Sequence, residues 1–152
     1  TMLDLETDAY IPDSYIKNEA QKLDIYKRIA SLENAEECED MSEELTDRFG
    51  DLPKAVMNLL DIARLKAEAH ALYITEVSVN SNRLKLKMYE KADIVVTNIP
   101  KLIERYKGAL KFQAAETPYF VYEKINNQKS ETNVLKVLSY LLEDMKFLVE
   151  KE

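Results

Sequence analysis

Between residues 35 and 49 the chain places seven carboxylates and a single base, Arg48. At 100° per residue, Glu37, Asp40, Glu44 and Asp47 fall within an arc of about 80° on one helix. They form an acidic stripe beside an apolar face of Cys38, Met41, Leu45 and Phe49. Carboxylates at such spacing can pair as acid and base or receive a basic surface. The residue types that would support catalysis or a zinc site beside them are scarce. His70 is its one histidine and Cys38 its one cysteine, so no zinc-type set of His and Cys ligands can be assembled. Only two glycines, Gly50 and Gly108, are present, which excludes a glycine-rich phosphate loop. No serine stands in a nucleophile-elbow pattern. Nothing marks a pair of carboxylates as acid and base, so neither a catalytic residue nor a cofactor is expected.

Two readings of the stripe remain open. It is either a solvated helix face, with Asp47 tied to Arg48 or a nearby lysine, or a docking stripe for a basic surface. Glu36 and Glu37 need no special explanation, because acids near a helix start are favoured by the macrodipole. Asp47 sits in the last turn, where a negative charge costs about 0.3 kcal/mol. Glu44 and Asp47 are both expected on the exposed side, so replacing them with Ala should change stability by only about 0.5 kcal/mol. Nine tyrosines, among them Tyr10, Tyr15 and Tyr26, are a weaker hint of an interface.

The elements that must position the stripe follow from periodicity. Residues 1–11 read as extended, with Leu3, Leu5 and Ile11 as anchors. Pro12-Asp13-Ser14 starts a helix over 13–31 whose face carries Ile16, Ala20, Leu23, Tyr26 and Ala30. Asn34 with Glu37 makes a capping-box-like start for the acidic helix, and Gly50 stands where a left-handed cap ends it. Pro53 opens a third helix with Val56, Leu59, Leu60, Ala63, Ala67 and Ala71 on one face. Beyond Tyr73 the period becomes two. Val77 and Val79, a turn at Asn80-Ser81-Asn82, then Leu84, Leu86 and Met88 describe a hairpin. A helix from Asn98 or Pro100 to Lys107 stops at Gly108, and the preceding stretch 93–98 is ambiguous. Leu110, Phe112 and Ala114 form a strand, Phe120 and Tyr122 another, residues 123–130 a polar loop, and 131–150 a last helix. The fold class is α+β: three N-terminal helices, then two antiparallel β-hairpins, each followed by a helix. A parallel sheet is not expected, because most strand pairs are joined by turns too short for a crossover. Without a Gly- or Ser-rich linker, residues 1–152 read as a single domain, with a subdomain break admissible near 73–75.

Twenty-eight acids against 21 bases give a net charge of −7, which opposes binding to a phosphate backbone. Hydrophobic residues at 46% support a packed core. No apolar run reaches the about 18 residues of a membrane span, and no basic-then-apolar leader is visible. With a lone cysteine, the expected location is a reducing cytoplasm.

Four segments in fixed order carry a family resemblance: AYIPDSYI (9–16), KLDIYKRIA (22–30), EELTDRFGDLP (43–53) and NLLDIARLKAEAHAL (58–72). Over residues 9–75 the chain resembles the C-terminal domain of the bacterial transcription-repair coupling factors, the Mfd family. Residues 76–152 match mainly in element order. The resemblance implies a fragment of a long, ATP-dependent DNA translocase that displaces stalled RNA polymerase and recruits UvrA. It also implies that this domain folds back on a UvrB-like N-terminal module and hides the UvrA-binding surface. The family's acidic pair falls on Glu44 and Asp47, two members of the stripe, and with the stripe the expected interface residues are Glu37, Asp40, Glu44, Asp47 and Arg48. The alternative is an acidic regulatory domain contacting the motor or nucleic acid.

These residues predict that the purified 152-residue chain neither hydrolyses ATP nor binds duplex DNA appreciably at physiological salt. A phosphate-release assay and a fluorescence-anisotropy titration check this. ATPase activity that survives purification, or DNA affinity of micromolar or better, contradicts it.

Overall fold

Asn18 and Asn34 decide where the first two helices begin. In the computed structural model, which describes residues 1–5, 7–80, 83–123 and 132–149 with the side chains of Thr132 and Asn133 set aside, each asparagine accepts a hydrogen bond at a helix start. Asn18 Oδ1 accepts from Gln21 N–H at 3.0 Å and opens α1 (Glu19–Ala30). Asn34 Oδ1 accepts from Glu37 N–H at 2.8 Å and opens α2 (Ala35–Phe49). Each bond satisfies a backbone donor that the first turn leaves orphaned. Pro53 precedes α3 (Lys54–Ala71).

The protein is mixed α+β, and its described residues form five α-helices and one five-stranded sheet. Its residues group into two compact units, 7–67 and 1–6 with 68–152. In the first unit, Ile11, Ile16, Ile25, Ile29, Met41, Leu45, Val56 and Leu60 form the core. The segment before α1 is pinned by backbone bonds: Ile11 N–H donates to Tyr26 Oη at 2.7 Å, and Tyr10 N–H to Ala55 O at 3.3 Å.

The expected first helix over 13–31 is too long. Residues 12–16 form a turn instead, with Tyr15 and Ile16 N–H both donating to Pro12 O, and Ile16 is buried ahead of the helix. Its burial therefore does not set the helix phase. Ile25 and Ile29 face the core, whereas the expected core residue Leu23 is 55% exposed. Ala71, also expected on a buried face, is exposed, and Asn58 is buried where an apolar residue would be anticipated. The Asn58 side-chain amide donates to Asp8 O at 3.0 Å.

In the second unit the sheet order is β1-β2-β3-β5-β4, with β1 (Met2–Asp4), β2 (Ile74–Asn80), β3 (Arg83–Met88), β4 (Leu110–Gln113) and β5 (Tyr119–Tyr122). A strand therefore precedes the helices, and it pairs in parallel with β2, Leu3 opposite Val77. Short turns forbid parallel pairing only between strands joined directly. Residues 5–73 lie between β1 and β2, more than the dozen or so a parallel crossover needs. The remaining pairings are antiparallel, and β3–β5 joins the two hairpins into one sheet. Residues 93–95 are irregular and a single 3₁₀ turn, Val96–Asn98, leads into α4 (Ile99–Arg105). The last helix, α5 (Thr132–Met145), ends in another such turn, Lys146–Leu148. Tyr106, just past α4, donates its hydroxyl to Asp144 of α5 and stacks edge-on against Tyr122 of β5 at 5.9 Å. Burial and the Asp144 carboxylate push the Tyr106 hydroxyl's pKa strongly upward. Residues 81–82 of the expected turn, 124–130 of the expected loop, and residues 131 and 150 of the expected last helix lie outside the described residues.

Gly50 closes α2 with φ +91° and ψ −168°, which is not the left-handed cap anticipated but a region that essentially only glycine occupies. Its N–H donates to Thr46 O at 3.0 Å, and its carbonyl accepts from the Tyr15 hydroxyl at 2.8 Å. An added Cβ would meet no atom within 4 Å. Gly50→Ala is therefore expected to destabilise the chain by about 1–3 kcal/mol through backbone strain alone, read as a shifted urea midpoint with an unchanged slope. A midpoint equal to the parent's refutes the assignment of strain.

Candidate interaction face on the acidic helix

The structure separates the five expected interface residues, the four stripe carboxylates and Arg48, into three environments. Glu37 works at the helix start, its carboxylate accepting from Glu33 N–H at 3.1 Å. It is half-buried and occupied in capping.

Glu44 is clasped. Arg28 of α1 donates through both terminal nitrogens, Nη1 to Oε2 at 2.5 Å and Nη2 to Oε1 at 2.7 Å. Arg48, one turn along α2, adds a third bond to Oε2 at 3.2 Å. Such a fork fits the planar guanidinium to both carboxylate oxygens. The Glu44 side chain is 35% exposed. Arg28, then Arg48, holds its carboxyl at about 2 against an ordinary 4.5, with desolvation opposing. Glu44 is thus not the freely exposed group anticipated, and its truncation would strand Arg28.

Asp40 and Asp47 are exposed, and among the described residues neither has a hydrogen-bond or ion-pair partner. The local tie of Asp47 to Arg48 is not made. Arg48 turns instead to Glu44 and lies over the Phe49 ring, 4.9 Å from its centroid. The outward face therefore presents two uncompensated carboxylates, while the Arg48 guanidinium is engaged by Glu44 and Phe49. A polar cleft of about 260 Å³ lies beside it, lined by Arg28, Ser31, Glu37, Asp40, Met41 and Glu44. This arrangement can receive cationic side chains. Among the described residues, no group of three or more His, Cys, Asp or Glu is placed to hold a metal, and no helix is long and apolar enough to cross a membrane.

Arg28 is the partner of Glu44 that periodicity missed. The signal lay in two segments already singled out, because KLDIYKRIA supplies Arg28 and EELTDRFGDLP supplies Glu44 and Arg48. Nothing in either segment alone pairs them across 16 residues.

Comparison with known proteins places this geometry in context. A family model, the TRCF domain, matches residues 5–99. Among curated relatives, a transcription-repair-coupling factor of Rickettsia prowazekii is 33% identical over 141 residues, covering 93% of this chain and 12% of the relative. One from Bacillus subtilis is 37% identical over 92 residues, covering 60% of this chain and 8% of the relative. The chain thus spans a small part of the length of the relatives it matches. Among solved structures, the crystal structure of the C-terminal domain of transcription-repair coupling factor superposes with a TM-score of 0.83 at 26% identity, covering 99% of this chain and 94% of that one.

Because the Glu44 carboxyl is depressed, its contribution is present above about pH 4.5 and is lost as pH falls towards about 2. The pair is part-exposed, so screening limits it to about 1 kcal/mol at neutral pH. Glu44→Gln is expected to lower stability by that amount at pH 7. The gap between parent and variant should close as the pH is lowered through this window. Urea unfolding from pH 7 to pH 2.5 measures it, and a gap independent of pH counts against the clasp.

Proposed function

The chain belongs to the TRCF domain family of the transcription-repair coupling factors, and we propose that it acts there as a non-catalytic, autoinhibitory interaction domain. In this reading it docks on the UvrB-like N-terminal module of a longer protein and masks that module's UvrA-binding surface. The parent is an ATP-dependent DNA translocase that displaces stalled RNA polymerase, and this domain contributes no chemistry of its own. UvrA and RNA polymerase are reached indirectly, through the parent. Nucleic acid and membrane are not direct partners of this domain, and it works in the cytoplasm.

The observation that carries the reading is the pair Asp40 and Asp47. Both are exposed, unpartnered among the described residues and aligned on one face of α2, with Asp47 in the last turn, where the helix dipole disfavours it. Intrinsic helix stability gives no reason for that placement. A basic partner surface does. Glu44 and Arg48 act one step behind: the Arg28 fork fixes Glu44, and Glu44 engages the Arg48 guanidinium one turn along α2. Docking through this face desolvates Asp40 and Asp47 against cationic side chains, each charge-assisted bond contributing about 1.5–3 kcal/mol. Glu37 remains committed to the helix cap.

The test measures binding of this chain to the isolated UvrB-like module by calorimetry. Asp40→Lys with Asp47→Lys is expected to weaken docking at least about tenfold, most at low salt, and to raise UvrA binding by the full-length protein. Glu44→Gln should weaken docking less while lowering stability. Undiminished docking by the double variant rejects the assignment.

A further inference from the structure

On the opposite flank of α2, about 170° round the helix from the acidic stripe, Ala35, Cys38 and Ser42 form one wall of a second groove. Met57 and Leu60 of α3 form the other wall, and Leu52 of the connection contributes to its lining. The groove has a volume of about 380 Å³. Small side chains on the α2 side leave room that the core does not fill. Met57 remains 42% exposed, although Leu60 and Cys38 beside it are buried. Glu39 and Asp61 also line the groove, one from each helix, and neither has an ion-pair or hydrogen-bond partner among the described residues. Arg64, which has an interaction of its own, is the remaining charged residue there.

We propose that this groove is a second docking site, and that its occupant is a cationic amphipathic helix of another polypeptide. A valley between two helices accepts side chains spaced i, i+3 or i+4, and i+7, which is how a helix presents its apolar face. The thioether of Met57 and the thiol of Cys38 supply a soft, adaptable lining. The charge on the occupant follows from its surroundings. Glu39 and Asp61 offer a carboxylate from each wall, and residues 7–67 carry fourteen acids against eight bases. An acidic helix would meet repulsion from both walls, and a phosphate backbone would meet the same field without apolar groups to bury. The site does not depend on the Asp40–Asp47 face, from which it is separated by the width of α2.

The probe is an acetylated, amidated peptide of about 16 residues built from leucine, alanine and lysine, with leucines at i, i+3 or i+4, and i+7. A second peptide replaces every lysine with glutamate. Titrated into the whole 152-residue chain and followed by amide NMR shifts, the lysine peptide should perturb residues 35–42 and 52–64, and the glutamate peptide should bind at least about tenfold more weakly. Glu39→Lys with Asp61→Lys should weaken the lysine peptide about tenfold, whereas Asp40→Lys with Asp47→Lys should change it less than about threefold. Shifts centred on the acidic stripe, equal response to both peptides, or no binding would each overturn the proposal. The two peptides are compared on the unsubstituted chain, so their contrast decides the matter even where the charge-reversed variant fails to fold.

Discussion

The burial of one side of α2 is the constraint from which the surface chemistry of the helical unit follows. Leu45 is fully enclosed, with Met41 and Cys38 nearly so. Once that side is fixed against the core, 100° per residue leaves no freedom for the others. Asp40 and Asp47 must face outward, Glu44 must lie on the shoulder towards Arg28, and Ala35 and Ser42 must line the flank towards α3. The hydrophobic effect thus fixes the position of every charge on the helix without acting on any of them directly.

Electrostatics then sorts those charges by reach. Glu37 is close enough to the helix start to cap it, and Glu44 is close enough to α1 to be held in a fork. Asp40 and Asp47 are out of range of both. The same residue types, a few positions apart, become cap, clasp and open valence. Only the last is available to a partner, so counting carboxylates overstates what a binding face has to offer. Arg48 pairs with Glu44 one turn away rather than with its chain neighbour Asp47, as i,i+4 spacing favours.

How much of this was legible in the sequence depends on whether the determining contact was local. The boundaries of α2 were readable because Asn34 and Gly50 act on their own turns, and the mixed α+β class followed from the switch from helical to alternating periodicity. The phase of α1 was not. Leu23 and Ile25 are both apolar, and Ile16 favours the wrong face until the turn at Pro12 removes it from the helix. Arg28–Glu44, the buried Asn58 and the parallel β1–β2 pair are all products of residues far apart in sequence. Periodicity has no access to such contacts. For the site, the stripe was visible as a set. Its division into engaged and open members was not, because that division is made by a side chain from another helix.

Residues 50–53 connect α2 to α3 in four residues, and each end of that connection is fastened. The Tyr15 hydroxyl reaches the carbonyls of both Leu45 and Gly50, and the Pro53 carbonyl accepts from the Val56 and Met57 N–H groups in the first turn of α3. The connection is consequently a spacer of fixed length. One residue inserted there would have to be absorbed by turning α3 roughly 100° on its axis or by letting go of a fastened end. Either change would take Leu60 and Val56 out of the core. Side chains within the spacer can be exchanged far more freely than its length can be altered, so sequences sharing this architecture should differ here by replacement and not by insertion or deletion.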